Sequence, residues 1–247
     1  MGPLELATLV LGLGFAGFSK GLAGLGLPLI ATPILAGVFG PRAAVTIVTI
    51  PIFVSNTLLV VQERRDRYPI RELAPFLIAS AIGAGIGTLL LARLDQRTFA
   101  ILIAAMVAVF VARGDRLLGE DVAARRARVI GQAICFLGGV LQGTTSISSP
   151  LIGSYFHALR LRPAQFVWVL AAMFELNSAV QLVGYTAQGL YNADIVALGI
   201  VGLIPTLLAM IVGIWTRGRL DAALFRRIIV VLVVLSTLNL LWRTFLA

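Results

Sequence analysis

The sequence predicts an all-α polytopic membrane protein made of two inverted repeats, each a broken, re-entrant helical hairpin followed by three transmembrane helices. Three observations carry this. Of the 247 residues, 59% are hydrophobic and only 13% charged, with a mean hydropathy of +0.99, whereas soluble domains carry roughly 25% charged residues. Several apolar runs approach the ~20 residues that cross a bilayer as a helix. Two of the longest runs are interrupted by glycine, hydroxyl residues and proline, and these interruptions recur in the same order in both halves of the chain.

In chain order, the apolar runs cover 4–39, 43–61, 73–92, 99–111, 129–156, 166–186, 195–215 and 228–246. The first contains GFAGFSKGLAGLGLPLIATPILAGVF from Gly14 to Phe39. Three glycines, a lysine and a proline at its centre do not fit one continuous helix. Interrupted backbone at membrane depth is tolerated where it lines a cavity or is buried in protein. The fifth run has its own break, Gln142-Gly-Thr-Thr-Ser-Ile-Ser-Ser-Pro150. Pro28 and Ser149-Pro150 read as helix starts, because proline suits the first helical turn and serine the position before it.

The halves align at nearly constant offsets. Gly21, Pro28 and Pro41 match Gly143, Pro150 and Pro163 at 122 residues, and Phe53 and Asn56 match Phe174 and Asn177 at 121. Arg93-Leu94-Asp95 and Phe99 match Arg219-Leu220-Asp221 and Phe225 at 126. The expected division is a first repeat over 1–113 (hairpin 4–39), a linker over 114–128 and a second repeat over 129–247 (hairpin 129–156).

Arginine placement selects the topology. If both broken runs crossed the membrane once, the basic residues would divide almost evenly between the two sides. If each run doubles back, one side collects fifteen arginines and the other four, the asymmetry expected of a cytoplasmic face. The hairpin reading gives a multi-pass protein of the inner (plasma) membrane, with arginine-rich loops in the cytoplasm and both termini outside. Three further crossings per half make the second half inverted. The N-terminus lacks a basic region ahead of its apolar segment, so that segment is expected to remain in the mature protein.

The net charge of +9 sits in connectors between apolar runs, where it suits orientation and contact with anionic lipids rather than nucleic acid. One cysteine, Cys135, and one histidine, His157, leave no disulfide or multi-ligand metal site, and no cofactor is expected. No phosphate-binding GxxxxGK[ST], HExxH or serine–histidine–acid set is present, so the chain is not expected to be an enzyme.

The candidate site lies at the two breaks. Ser19, Lys20, Gly21, Gly24 and Gly26 surround the first, and Gln142, Thr145, Ser146, Ser148 and Ser149 the second. Two helix N-termini near the bilayer midplane offer free N–H groups and partial positive charge to an anion, glycine lets backbone approach a ligand, and hydroxyls donate to oxyanion oxygens. The alternative is that small residues there serve only close helix packing. Lys20 either adds a full charge to this site or snorkels to the interface. Glu175, the acidic residue well inside a predicted span, is either a proton-coupling carboxylate or the partner of Lys20. Asn56 and Asn177 either line the same cavity or tie helices together. Gln62 and Gln181 are weaker candidates, and His157 reads as interfacial.

The stretch GFSKGLAGLGLPLIATPILAGVFGPRAAVTIVTIPIFVSN, with its Lys-Gly, Gly-x-Gly-x-Pro, second proline and closing Ser-Asn, resembles the opening of the sulfite exporter TauE/SafE family, also called the 4-toluene sulfonate uptake permease family. The segment FLGGVLQGTTSISSPLIGSYFHALRLRPAQF is similar to the family's second hairpin, with Thr145, Ser146 and Ser149 standing where glycines are frequent. The resemblance spans nearly the whole chain. It implies a secondary transporter of small sulfur-containing anions of the sulfite, sulfonate or sulfoacetate type, with proton linkage and a homodimer left open. An anion channel, and more remotely an intramembrane enzyme or assembly partner, are the competing readings.

Overall fold

The structure, a computed structural model, describes residues 2–24, 26–113, 124–217 and 222–245. Every regular element among them is helical: α1 (Pro3–Ala23), α2 (Leu27–Phe39), α3 (Pro41–Gln62), a 3-10 turn (Arg64–Asp66), α4 (Ile70–Arg93), α5 (Gln96–Arg113), α6 (Ala124–Thr145), α7 (Ser149–Ala158), α8 (Pro163–Ala187), α9 (Ala193–Thr216) and α10 (Ala222–Phe245). Proline opens α1, α2, α3, α7 and α8 in the first turn, where its missing N–H costs nothing. α9 is opened instead by Asn192, whose side chain accepts from the Ile195 amide at 2.8 Å, a side-chain N-cap. The matched Arg219-Leu220-Asp221 and residues 114–123 of the expected linker lie outside the described residues, and α6 already begins at Ala124.

Six helices are long and apolar enough to cross a membrane: α1, α3, α4, α8, α9 and the 227–245 part of α10. At 1.5 Å per residue, α2 and α7 reach only about 20 and 15 Å, short of the ~30 Å hydrocarbon core. Both short helices double back on the helix before them. A Cβ at Gly12 would touch Ile34 and Leu35, and one at Gly26 would lie against Ser19, so α1 and α2 run antiparallel. Ile152 packs beside Gly138, and Ser148 bonds to Gln142, the same reversal between α6 and α7. The broken runs are therefore hairpins of one long and one short arm, as expected.

The surface is inside-out relative to a soluble protein. Leu11, Ile78, Leu89, Ile204, Leu208, Leu235 and Trp242 are exposed, while Lys20, Asn56, Gln142, Asn177 and Gln181 are buried. With lipid as the outer solvent there is no hydrophobic gain in burying apolar surface, and close packing and polar bonds hold the helices instead.

Two crossings bring backbones into direct contact. α1 lies along α9 and α4 along α6. Gly17 and Gly21 of α1 face the backbone of Thr206 and Met210, and Gly139 and Gly143 of α6 face that of Ser80 and Ala84; a Cβ at any of these four would meet a main-chain carbonyl. Gly213 of α9 returns the contact to Phe18 and Gly21, as Gly87 of α4 does to Val140 and Gly143. Shifting the α1 and α4 partners by 122 and 126 residues turns one crossing into the other. α3 and α8 cross between them, each also touching the other half's fourth helix, α9 or α4.

Candidate functional site

The first break follows from capping. α1 ends at Gly24, left-handed at φ 76°, whose N–H donates to the Lys20 carbonyl at 2.7 Å, and α2 begins behind Gly26 at φ 104°. Both positions need φ values that favour glycine. The last turn of α1 still has carbonyls to satisfy. Arg217, at the end of α9, donates to the Gly21 carbonyl from Nη2 at 3.0 Å and Nε at 3.2 Å, and from Nη1 to Glu63 Oε1 at 3.2 Å.

Lys20 does not snorkel. It is 1% exposed, and its Nζ donates to Asn56 Oδ1 on α3. Placing an ammonium there is costly, since effective desolvation of a buried ion is several kcal/mol and one amide oxygen does not replace its hydration. Glu175 is not its direct partner: among the described residues no ion pair joins the two, and Glu175 Oε1 instead accepts from Thr57 Oγ1 at 2.6 Å. The reading of Lys20 and Glu175 as a paired couple is corrected to two neighbouring pairs. Consecutive α3 residues, Asn56 and Thr57, hold Lys20 of α1 and Glu175 of α8, and the two charges stay within electrostatic reach.

At this pair and beside it three buried polar atoms lack a protein partner: Ser19 Oγ, Asn56 Nδ2 and Glu175 Oε2. Buried polar groups are ordinarily satisfied, so this concentration is unusual. Ser19 is fully buried, and its hydroxyl lies 3.0 Å from where a Gly26 side chain would begin, at the N-terminus of α2. A Cβ at Gly26 would press on that hydroxyl.

The second break is built from neutral groups. Gln142 Oε1 accepts from Ser148 Oγ at 2.7 Å and from Asn177 Nδ2 at 3.1 Å, and Asn177 also donates to Ser80 Oγ at 2.7 Å. Ser146 is left-handed at φ 61°, a strained conformation for a non-glycine residue. Thr145 turns inward locally, donating to the Leu141 carbonyl at 2.8 Å and accepting from the Ile147 amide at 3.2 Å. Ser149 proves to be the first helical residue of α7, with Ser148 before it. Ser148 spends its hydroxyl on Gln142 rather than on the helix, and Ser149 Oγ is buried without a partner, as are Asn177 Oδ1 and Gln181 Oε1.

Gln181, the weaker glutamine candidate, lies at the centre of this break. Its Nε2 donates to the Gln142 carbonyl at 2.7 Å and lies within bonding distance of Ser146 Oγ and Tyr185 Oη. Tyr185, unsuspected from sequence, donates to the Gly143 carbonyl at 2.6 Å, just as Arg217 serves the matching Gly21 carbonyl. Ser80 and Thr57 were also missed, being hydroxyls with no charged or amide neighbour beside them to mark a site beyond Asn56. Gln62 falls at the exposed end of α3, and His157 ends α7 with its ring edge-on to Phe166.

Helix α8 touches both breaks: Val167 meets the first, and Asn177, Gln181 and Tyr185 bond the second. Gly24 packs on Val167 of α8, and Ile147 of the second break is buried in the same apolar cluster as Leu27, Leu29 and Ile30 of α2. A cavity of about 520 Å³ lies elsewhere, at the α2–α3 turn beside Arg42, Gln96 and Phe99, and contains none of the candidate residues.

Two helical reversals inside a membrane-spanning bundle, with polar groups and a buried cation gathered at them, define a multi-pass protein of the transporter class. Residues 9–240 match the family model for Sulfite exporter TauE/SafE, and the chain belongs to that family. Membership makes it a membrane transporter of the sulfite and sulfur-anion type. No curated protein and no solved structure matches the chain.

Proposed function

We propose that the protein is a secondary transporter that moves small sulfur oxyanions across the cytoplasmic membrane, binding them between the two hairpin breaks. The observation that carries this reading is Lys20. It is a buried cation with a single amide partner, set beside an unpaired buried hydroxyl, Ser19, and an unpaired amide N–H, Asn56 Nδ2, at the start of α2. A cation and free donors together at a helix N-terminus suit an oxyanion. Ser149 Oγ and the start of α7 contribute from the second break. Sulfite and sulfonates belong to the chemical class such donors accept.

The two halves, 1–113 and 129–247, act as inverted repeats joined by a cytoplasmic linker over 114–128. The matched glycine contacts of α1 with α9 and of α6 with α4 support this division, and the fifteen-to-four arginine division supports external termini and cytoplasmic arginine-rich loops in the inner membrane. Movement of one half against the other exposes the buried site alternately. Glu175, with one oxygen on Thr57 and the other buried and unpartnered, carries the proton that couples to transport.

Proteoliposome flux with a panel of sulfur oxyanions tests the reading. Saturable uptake that responds to a pH gradient is expected. Continuous single-channel current would identify a channel instead, and no flux with any sulfur oxyanion would refute the proposal.

A further inference from the structure

We infer that the site takes singly charged oxyanions and excludes dianions, and that Gln142 is the residue that sets this limit. The inference rests on the two breaks being the anion site. Lys20 and Gln142 are equivalent positions. Each directly precedes a glycine, Gly21 or Gly143, that touches the backbone of the crossing helix. Each is hydrogen-bonded to the matched asparagine of the next long helix, Lys20 to Asn56 and Gln142 to Asn177. The two halves therefore place the same pair at matched positions but differ in its charge. Where the first places an ammonium, the second places a neutral amide whose oxygen is already occupied by two donors, Ser148 and Asn177.

Lys20 is the one charged side chain among the described residues that is fully enclosed. Glu175 is the other ionisable group in its reach. At the rim, Arg217 is matched by Glu63. Beyond the partial charges of the helix N-termini, the side chains facing a ligand thus carry at most one positive charge, and Glu175 cancels it when ionised. A monoanion is neutralised at most once. The second charge of a dianion would be buried with no full counter-charge, only the partial charge of helix N-termini, an arrangement that low-dielectric interiors penalise. Hydrogensulfite and simple sulfonates remain within the class, while sulfoacetate and sulfate leave it.

The test uses the purified full-length protein and isothermal titration with methanesulfonate, sulfate and sulfite. Methanesulfonate should bind at least about tenfold more tightly than sulfate. Sulfite affinity should fall as pH rises through its second ionisation, while that of methanesulfonate, a monoanion throughout, falls less. Gln142→Lys should raise sulfate affinity by at least about tenfold. Sulfate binding as tight as methanesulfonate in the unaltered protein overturns the charge limit and leaves the anion site standing. A folded Gln142→Lys protein with no gain for sulfate overturns the assignment to Gln142. Binding of neither anion overturns the site itself and this inference with it.

Discussion

Replacing Lys20 by methionine separates binding from stability, because the two respond in opposite directions. Methionine keeps the length and most of the volume of the side chain, so packing against α3 is retained. What disappears is a buried ammonium bonded to Asn56 Oδ1. The amide oxygen left behind is an unsatisfied buried acceptor, a cost of about 1–3 kcal/mol. The desolvation penalty removed with the charge is several kcal/mol. Lys20→Met should therefore melt at the same temperature as the parent or higher. Binding should move the other way. An oxyanion about 4 Å from the ammonium gains about 4 kcal/mol at an effective dielectric constant near 20. Losing that interaction corresponds to a several-hundred-fold rise in Kd, at about 1.4 kcal/mol per tenfold. Titration with methanesulfonate alongside a thermal melt reads both quantities on one sample. Affinity within about threefold of the parent would remove Lys20 from the site, and a large fall in melting temperature would make it a structural residue.

The glycine crossings predict a matched pair of defects. Gly21→Val and Gly143→Val each drive a side chain into a main-chain carbonyl, of Met210 or Ala84, and each should lose at least about 1–3 kcal/mol of stability. Gly153→Ala, whose new Cβ meets nothing within 4 Å, should melt no lower than the parent, which a fluorescence melt of all three variants checks. Arg217→Ala strips two bonds from the Gly21 carbonyl and the pair with Glu63, a loss of about 1–3 kcal/mol; Glu63→Gln keeps the Gly21 bonds and should lose less. Glu175→Gln should still support anion flux in proteoliposomes but lose the response to an imposed pH gradient, and a retained response sinks the coupling role.

Much of the fold was legible because it is written locally. Apolar run length marks a helix that can cross a bilayer, and proline and glycine mark where helices start and stop. Gly24, Gly26 and Pro28 therefore located the first break to within a residue or two, and Pro150 the second. The serine at that second start shows the limit of local reading. Ser149 looked like the cap, but Ser148 precedes the helix and its hydroxyl goes to Gln142, because a glutamine six residues upstream is brought back by the turn.

By itself the sequence determined an all-helical membrane bundle, two breaks, the order of matched residues in the two halves, and a lysine inside an apolar run. Only the tertiary structure decided what that lysine meets. Asn56 is 36 residues from Lys20, Asn177 is 35 from Gln142, and Ser80 is 97 from Asn177. No periodicity within one helix specifies such partners. They are chosen by which helices pack together: Asn56 reaches Lys20 from α3, and Asn177 reaches Gln142 and Ser80 from α8. Helix α8, packed on α4 and α6, carries Gln181 and Tyr185 to the second break. Hydropathy reports whether a segment enters the membrane, but the depth and company of a charge inside it are set by the helices packed around it.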